Sequence, residues 1–388
     1  MIVSMIGHKG IPSHSGGIER HVEELSAALA NRGVTVISYD RPWYASNTEP
    51  VNGVIRRWCY GIRTKHFDAI THSFHALLIA RKDRPDIIHL HGVGPSLLAP
   101  VARVLYPRTR IVSTFHCVDR AHQKWGSFAR FMLRAGEWCA CACAHRTIAV
   151  SDSLAAYCLK EYQSQTCVIP NGVRSGEWGV GSDVLETFGL KEENYFCLVA
   201  RLVPHKNIHV ALDAYAQFAS ARPLDAVKHP LVIVGGSAHT DEYEQELHRM
   251  ASRIPNVILT GELHGEELQS IQSHALAHLS ISSTEGMSIA LLEAMMMSRP
   301  LIVSDIPENL EVVENDALVV RVNDSSSLAR AMENMVDLTD NERALMGEKL
   351  RVRALVNHDW NRIAEETEAV YEEVVAMKKV NPPSLSKT

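Results

Sequence analysis

This sequence of 388 residues lacks any apolar run of the roughly 18 residues that a membrane-spanning helix needs. Its first ten residues, MIVSMIGHKG, also lack the pattern of a secretory signal peptide. No two aspartates are separated by a single residue, and the G-x-G-x-x-G dinucleotide fingerprint is absent. We therefore expect a cytoplasmic protein with neither an Asp-x-Asp metal site nor a nicotinamide dinucleotide site.

Cysteine is sparse, with eight residues in the whole chain. Most of them fall within predicted helices or strands, so we expect free thiols and no disulfide framework. Cys139, Cys141 and Cys143 alternate, but their stretch has a helical pattern, and helical residues two apart point in different directions. We therefore expect no metal site among them.

Acidic residues are scarce in the first half of the chain. Residues 1–171 carry 20 Lys and Arg against 12 Asp and Glu, whereas the remainder carries 19 against 33, for a net charge of −6 overall. A basic half suits anionic lipid headgroups or a phosphate-bearing ligand, and a solvated surface of no special purpose explains it equally well. We expect no nucleic-acid partner.

Strand and helix patterns alternate along two stretches of the chain. In the first, an apolar strand at Ile2–Ile6 leads through the loop GHKGIPSHSGG into an amphipathic helix at 18–31. The second stretch follows the polar segment RSGEWGVGSD, which has linker composition. This alternation predicts an α/β protein with two doubly wound, Rossmann-like domains, residues 1–172 and 173–359, that face a central cleft.

Residues 282–305, SSTEGMSIALLEAMMMSRPLIVSD, carry the pattern that is most informative about function. They read as a loop, a helix and a strand after an apolar strand, with Glu285 in the loop and Glu293 on the helix. In a parallel sheet such a loop lies beside the free N–H groups of the next helix, which form an anion pocket. Two glutamates that accept hydroxyl hydrogen bonds on either side of a phosphate fit a nucleotide sugar. A surface glutamate followed by one on an ordinary amphipathic helix fits the spacing too.

The segment EGMSIALLEAM followed by SRPLIVSD resembles the signature of the retaining glycosyltransferases of family four, which have the GT-B fold. The family usually has Phe-Gly after the first Glu-Gly, where this chain has Met287-Ser288. GIPSHSGGIERHVEEL, PNGV and ARLVPHKN resemble other family segments, so the resemblance spans nearly the whole chain. The N-terminal part looks most like bacterial members that build cell-surface polysaccharides.

The resemblance implies a role for each matching residue. Glu285 would position the donor sugar and Glu293 the ribose, while Arg201 and Lys206 would bind the diphosphate. His116 matches the histidine that ends a core strand beside the donor sugar. The remaining donor-binding candidates are Gly16, Gly17, Asn171, Gly286, Met287, Ser288, Ile289 and Ala290, and the acceptor-side candidates are His91, Asp119 and Arg120.

The resemblance also implies a reaction. The enzyme would transfer a sugar from a UDP- or GDP-sugar to a glycan or lipid-linked acceptor with retention of configuration, a phosphate oxygen taking the acceptor proton. Arg201, Lys206 and the helix amides would replace a metal, so we expect no cofactor and no metal; His89, His91 and His116 need not share one. In this fold the last helix, here 360–377, commonly crosses back to the first domain, and residues 378–388 are expected to be disordered.

Alternatives remain at this stage. A nucleotide-sugar epimerase would need acid and base carboxylates that the N-terminal half scarcely offers, and a phosphorylase would need a pyridoxal-phosphate lysine. A third alternative is a catalytically silent protein that binds sugar nucleotides or glycans. Loss of Glu285, Arg201 or Lys206 would have favoured it, but all three residues are present. The helix expected at 124–145 carries aromatic and basic residues that suit the inner face of the cytoplasmic membrane, but a helix packed on the sheet with its arginines in water is the preferred interpretation.

Overall fold

Two parallel β-sheets, one in each half of the chain, organise the computed structural model. The residues that it describes are 1–14, 16–64, 67–121, 126–174, 176, 183–236 and 241–377. The predicted fold class, two doubly wound α/β domains, is confirmed. Within the described residues no helix is both long and apolar enough to cross a membrane.

The first sheet has seven strands in the order β3-β2-β1-β4-β5-β6-β7, all parallel. Their bounds are β1 (Ile2–Ile6), β2 (Thr35–Asp40), β3 (Ile55–Trp58), β4 (Ile87–His91), β5 (Arg110–Phe115), β6 (Arg146–Ala149) and β7 (Cys167–Val168). The apolar runs of the central strands are buried because helices cover both faces of the sheet. The strand order reverses at β1 and β4, and in such sheets ligands bind beyond the carboxyl ends of the strands at that point.

Among the described residues of the first half, the helices beside the first sheet are α1 (Gly17–Asn31), α2 (Asp68–Ala80), α3 (Val93–Ser96), α4 (Ala99–Leu105), α5 (Ser127–Cys143) and α6 (Asp152–Tyr162). The apolar stripe of α1, with Val22, Leu25 and Leu29, packs on one face of the sheet. Helices α2 and α4 pack on the opposite face through Leu77 and Ala102. The doubly wound arrangement leaves the loop before α1 at the carboxyl edge of β1.

The second sheet has six parallel strands in the order β10-β9-β8-β11-β12-β13. They are β8 (Phe196–Val199), β9 (Leu231–Val234), β10 (Val257–Gly261), β11 (Ala277–Ser280), β12 (Leu301–Ser304) and β13 (Leu318–Val320). The helices around them are α7 (Val184–Thr187), α8 (Ile208–Ala221), α9 (Pro223–Lys228), α10 (Asp241–Ala251), α11 (Gly265–Ser273), α12 (Ile289–Met296), α13 (Pro307–Val313), α14 (Ser325–Asp337) and α15 (Asp340–Asn357).

The last helix, α16 (Trp360–Ala376), packs on the first sheet. Its side chains Trp360, Ile363 and Tyr371 join the core that α1 forms with the strands. A Cβ added at Gly172 would lie 2.5 Å from Cδ2 of Trp360, so the chain passes directly over that ring where it leaves the first domain. Beside this point Val173 pairs in parallel with Asp359, and the two crossings between the domains therefore run together.

Most predicted elements agree with the structure to within two or three residues. Helix α1 and the last helix, Trp360–Ala376, match their predictions to within one residue, and the alternating cysteines lie on α5 with all eight cysteines free, as expected. Helices α3 and α4 had no predicted counterpart; each is short and contains a proline, which weakens a helical pattern. Residues 378–388, expected to be disordered, lie outside the described residues, as do residues 122–125 before α5.

Candidate active site

The loop between β11 and α12 lies at the carboxyl edge of the second sheet. Ser288 caps α12, since its hydroxyl accepts a hydrogen bond from the Leu291 N–H at 3.4 Å. The apolar face of α12, including Leu291 and Leu292, is buried against the sheet and fixes the direction of the helix. The first turn of α12, with Ile289 and Ala290, thus presents backbone N–H groups at this edge, as an anion site requires.

Gly286 brings this loop against the first domain. A Cβ added there would lie 1.5 Å from the carbonyl oxygen of His116, at the end of β5. Only glycine permits that approach, because any side chain would collide with backbone that cannot move aside. The contact sets the predicted donor loop directly opposite the histidine predicted to lie beside the donor sugar.

Glu285 and Lys206 form an ion pair within the second domain. Lys206 comes from the turn after β8, and both side chains are largely buried. Burial alone would raise the pKa of Glu285, but the Lys206 ammonium and hydrogen bonds from Lys206 and Ser282 hold that pKa below its ordinary value. Glu285 is therefore ionised, and its charge is matched by the cation predicted to bind diphosphate.

Glu293 reaches across the cleft from α12. Its Oε1 lies 3.7 Å from Nη2 of Arg20, on α1 of the first domain. Burial raises the pKa of Glu293, and Arg20 only partly opposes that rise while Glu24 adds to it. Glu293 and Arg20 thus face each other from α12 and α1 on opposite sides of the cleft.

Arg201 follows β8 and its side chain is exposed at the cleft. Burial, followed by the nearby Asp119 and Glu285, raises the pKa of the Cys117 thiol well above its ordinary value, and the Arg201 charge opposes that rise. Arg201 and Glu285 thus both act on Cys117, the residue after His116. The structure brings Arg201, Lys206, Glu285 and the end of β5 together.

His116 belongs to a buried cluster of imidazoles at the carboxyl ends of β4 and β5. Nε2 of His116 lies 3.3 Å from Nδ1 of His91, and the ring of His21, from α1, is centred 4.7 Å from the His116 ring. Burial, reinforced by the neighbouring histidines, lowers the pKa of His91 and His116 well below the ordinary value, and burial lowers that of His21 to about 4. All three rings are therefore neutral at pH 7.

The same cluster is the part of the site that is suited to a metal ion. One ring nitrogen from each of His21, His91 and His116 lies within 4.8 Å of the other two. Over the described ranges, no other three His, Cys, Asp or Glu side chains meet that spacing. His89 does not join them, because Tyr371 and Thr114 occupy its two ring nitrogens at 2.6 and 2.7 Å.

Asn171 connects the two domains through a buried side chain. Its Oδ1 accepts a hydrogen bond from Nδ1 of His21 at 2.8 Å, and its Nδ2 donates to the carbonyl of Met287 at 2.9 Å. His358, just before α16, hydrogen-bonds to the Asn171 carbonyl at 2.9 Å. The predicted donor-binding amide is thus bonded to protein groups here and fixes the Met287 loop relative to the histidine cluster.

The acceptor-side candidates Asp119 and Arg120 lie in a turn after β5. The Cys117 thiol donates to Oδ1 of Asp119 at 3.1 Å. Arg120 donates to Oε2 of the buried Glu137 at 3.0 Å and to the hydroxyl of Tyr157 at 2.6 Å. Arg120 is therefore anchored in the first domain, and its role toward an acceptor stays a prediction.

The two glycines at the start of α1, Gly16 and Gly17, differ in backbone conformation and in the space around them. Gly16 has a φ of 105°, a backbone conformation that requires glycine. A Cβ there would lie 2.1 Å from Oε2 of Glu19, a side-chain end that can turn away. A Cβ on Gly17 would meet nothing within 4 Å. The Gly17 backbone is thus open to close approach by a ligand, and its role in donor binding stays a prediction.

Sequence reasoning missed His21 and Arg20. Both lie on α1, where His21 shares the buried stripe with Leu25 and Ala28 at helical spacing, while Arg20 points to the cleft. A histidine on an otherwise apolar stripe was the available signal for the first of them. Arg20 gave none, since an arginine on the polar face of a helix usually faces solvent.

Comparison with known proteins identifies two family models along the chain. The model of "Glycosyltransferase Family 4" matches residues 15–176, and that of "Glycosyl transferases group 1" matches residues 186–353. The O-antigen chain mannosyltransferase RfbU of Salmonella typhimurium is 34% identical over 153 residues, which are 39% of this chain and 40% of that protein. The match therefore spans less than half of that relative.

A second relative matches this chain over a larger share of its length. The UDP-Gal:alpha-D-GlcNAc-diphosphoundecaprenol alpha-1,3-galactosyltransferase of Escherichia coli is 27% identical over 271 residues, 67% of this chain and 68% of that protein. Sucrose-phosphate synthase from Thermosynechococcus elongatus superposes with a TM-score of 0.81 at 21% identity, covering 97% of this chain and 99% of that chain. That likeness shows the fold. The two family models together cover both domains, and the chain therefore belongs to the group 1 glycosyltransferases of the GT-B fold.

Proposed function

We propose that this protein is a retaining, metal-independent glycosyltransferase that moves a sugar from a UDP- or GDP-sugar to a glycan or lipid-linked acceptor during cell-surface polysaccharide synthesis. The observation that carries the proposal is the convergence of Glu285, Lys206 and the N-terminus of α12 opposite His116. The two relatives support the substrate class, since one is named for the O-antigen chain and the other for a diphosphoundecaprenol-linked sugar.

Transfer breaks the bond between the anomeric carbon and a diphosphate oxygen, and the electron pair leaves with the diphosphate. Arg201 and Lys206 stabilise the charge that develops there, the arginine as a fork and the lysine as a point charge. The amides of Ile289 and Ala290 add the positive end of α12. The acceptor oxygen bonds to the same face, and its proton passes to a phosphate oxygen.

Donor binding exchanges the partners of both glutamates. A diphosphate carries more negative charge than one carboxylate, so it displaces Glu285 from Lys206 and frees that carboxylate for sugar hydroxyls. Glu293 likewise turns from Arg20 to the ribose. The cavity of about 20 Å³ beside Lys206 and Ser288 is lined by second-domain residues. In this proposal the cleft between the domains opens to admit the donor and closes over it to exclude water.

We also propose that the first domain, on the acceptor side, contacts an anionic membrane surface through helix α5. On α5, Phe128, Phe131 and Trp138 are 78%, 67% and 53% exposed, and Arg130 and Arg134 accompany them. These aromatic side chains recur at helical spacing on one outward face, as in helices that lie in a membrane interface. Lys124 and Trp125, part of the same prediction, lie outside the described residues.

Thermal stabilisation by UDP-, GDP-, TDP- and ADP-sugars in the presence of EDTA tests the donor site first. A bound donor at a hundredfold excess over Kd stabilises the folded state by about 3 kcal/mol. We expect one nucleotide to give this shift, and Arg201→Ala or Glu293→Ala to remove it. Arg351→Ala, an exposed cation on α15, serves as the charge-matched control. Donor hydrolysis and product stereochemistry then follow for the nucleotide that binds.

If no nucleotide sugar raises the melting temperature, or if a shift appears only with added Mg²⁺ or Mn²⁺, the metal-independent mechanism is contradicted.

Membrane contact is tested separately, by flotation with anionic and with neutral vesicles. We expect binding to anionic vesicles only, and its loss in Phe128→Ala/Phe131→Ala. The control is Leu224→Ala/Val227→Ala, which removes two similarly exposed apolar side chains from α9 in the second domain. Equal losses in both double variants contradict a specific docking face.

A further inference from the structure

The cluster of His21, His91 and His116 has ligand properties that the transfer reaction does not use. Three elements deliver it, since His21 lies on α1 and the other two end β4 and β5. We propose that these three imidazoles bind a divalent transition-metal ion such as Zn²⁺, and that the bound ion blocks sugar transfer. The proposal goes beyond the proposed function, which requires no metal.

The tautomer of His21 is fixed by its hydrogen bond. The Asn171 amide nitrogen donates to the Met287 carbonyl, so its Oδ1 is the acceptor and Nδ1 of His21 carries the proton. Nε2 of His21 is then a bare lone pair, and this buried atom has no hydrogen-bond partner among the described residues. Metal-bound histidines have this arrangement, with one nitrogen donating to a carbonyl oxygen and the other on the ion.

His91 offers a second lone pair for a similar reason. Its Nε2 lies 3.3 Å from Sδ of Met5, and because a thioether only accepts, the proton of His91 is on Nε2. Nδ1 is therefore bare and faces Nε2 of His116 at 3.3 Å. His116 needs only to move its proton to Nδ1 to present the third lone pair. Binding then requires no change of net charge on the three rings.

The spacing suits a tetrahedral ion. Zn–N bonds of about 2.0–2.1 Å at tetrahedral angles separate the ligand nitrogens by about 3.4 Å. His91 and His116 already have that separation. One ring nitrogen of each of the three histidines lies within 4.8 Å of the other two, so a small movement of the His21 ring completes the set. Three histidines leave the fourth position for water, which matches the ligand number of open zinc sites.

The ligand set selects the kind of ion. Neutral imidazoles suit Zn²⁺, Co²⁺, Ni²⁺ and Cu²⁺, whereas Mg²⁺ and Ca²⁺ take oxygen ligands. An ion on Nε2 of His116 sits on the ring that is proposed to lie beside the donor sugar. It also ties β4 and β5 to α1 within the first domain and so fixes the His116 ring in place. Transfer is therefore expected to stop when the site is loaded.

Titration of the untagged protein with Co²⁺ tests the site directly. Tetrahedral Co²⁺ with nitrogen ligands absorbs in the visible range, and we expect this absorption to saturate at one ion per chain. His21→Ala and His91→Ala should abolish it, and Asn171→Ala, which removes the acceptor that fixes the His21 tautomer, should weaken affinity about 10- to 100-fold. His264→Ala, an exposed histidine far from the cluster in sequence, is the control and should change nothing.

A second measurement does not depend on the variants folding. X-ray absorption of the wild-type protein loaded with one equivalent of Zn²⁺ should show three imidazole ligands at about 2.0 Å. Fewer imidazoles, no saturable Co²⁺ absorption, or absorption that His21→Ala leaves intact would each overturn the site. Zn²⁺ that binds while transfer continues unchanged overturns the blocking role. Failure of the proposed function would instead leave both metal measurements as expected while no sugar is transferred.

Discussion

At the scale of single residues, the site consists of charges that already have partners. Lys206 holds Glu285, and Arg20 lies against Glu293. Each pair is partly buried, so removing one member leaves the other charge without compensation in a poorly solvated place. The donor can bind only by replacing these partners, and the energetic effect of each residue therefore includes the pair that it leaves behind.

Lys206→Ala tests this exchange. The ammonium now holds down the pKa of Glu285, so its removal raises that pKa, and activity that needs ionised Glu285 is lost at a higher pH. We expect the transfer rate to fall about 100- to 1000-fold, as for a lost leaving-group stabiliser. The pH profile of kcat/KM measures both effects. Lys349→Ala, an exposed lysine on α15, is the control, and an acid limb that stays in place would refute the coupling.

Tyr371 takes no part in the proposed reaction, and its substitution tests the contribution of a buried hydrogen bond to stability. Its hydroxyl lies 2.6 Å from Nδ1 of His89 in the core between α16 and the first sheet. Tyr371→Phe leaves that buried nitrogen without a partner, which costs about 1–3 kcal/mol of unfolding free energy. Urea unfolding measures the free energy of unfolding of this variant. The control is Tyr60→Phe, because Tyr60 is 64% exposed. Equal stability of the two variants would show that the hydroxyl is not needed.

At the scale of elements, the sequence predicts the β11–α12 unit well. Its apolar run, loop, helix and following strand are local patterns, and the structure has each of them with Glu285 in the loop and Glu293 on α12. The approach of Gly286 to the His116 carbonyl is not local, because it depends on how the loop of one domain meets a strand end of the other. The roles assigned to these residues remain predictions until the donor is identified.

Gly286→Ala measures what that approach contributes. The added methyl group collides with the His116 carbonyl, so the loop withdraws and the amides of α12 leave their position opposite the first domain. We expect transfer to fall at least about 100-fold, since a misplacement of an ångström has that effect, with little change in far-ultraviolet circular dichroism. Gly94→Ala, where a Cβ meets nothing within 4 Å, is the matched control. Comparable activity of the two variants would contradict the argument.

At the scale of the whole molecule, buried neutral histidines make stability depend on pH. The pKa values of His21, His89 and His278 are lowered by burial to about 4, 3 and 4 from an ordinary 6.5. The unfolded chain binds these protons near pH 6.5, whereas the folded protein binds them only at about pH 4 for His21 and His278 and about pH 3 for His89. Their stabilising contribution is therefore complete above pH 6.5 and is lost as the pH falls below it.

Each such histidine should lower the free energy of unfolding by about 1.4 kcal/mol per pH unit within that window. Urea unfolding at pH 7 and at pH 5.5 measures the total. His278→Gln should remove one histidine's share of the slope, while His264→Gln, at a 59% exposed side chain, should leave the slope as it is. A slope that His278→Gln does not reduce would show that this ring is protonated in the folded state.

The sequence by itself determined the features that follow from local periodicity and from residue type. These are the two alternations of strand and helix, the polar residues at strand ends, the spacing of Glu285 and Glu293, and the absence of an Asp-x-Asp pair. Each depends on neighbours within about ten residues, where the 2.0 and 3.6 periods of strands and helices apply.

Tertiary packing set the contacts between residues that lie far apart in the sequence. His21 reaches Asn171 over 150 positions, and His89 reaches Tyr371 over 282. The histidine cluster, the Arg20–Glu293 pair and the passage of the chain over Trp360 arise in the same way. Contacts at such separations depend on how two sheets and a returning helix pack together. No local period in the sequence encodes that packing. The packing places His21 beside His91 and His116.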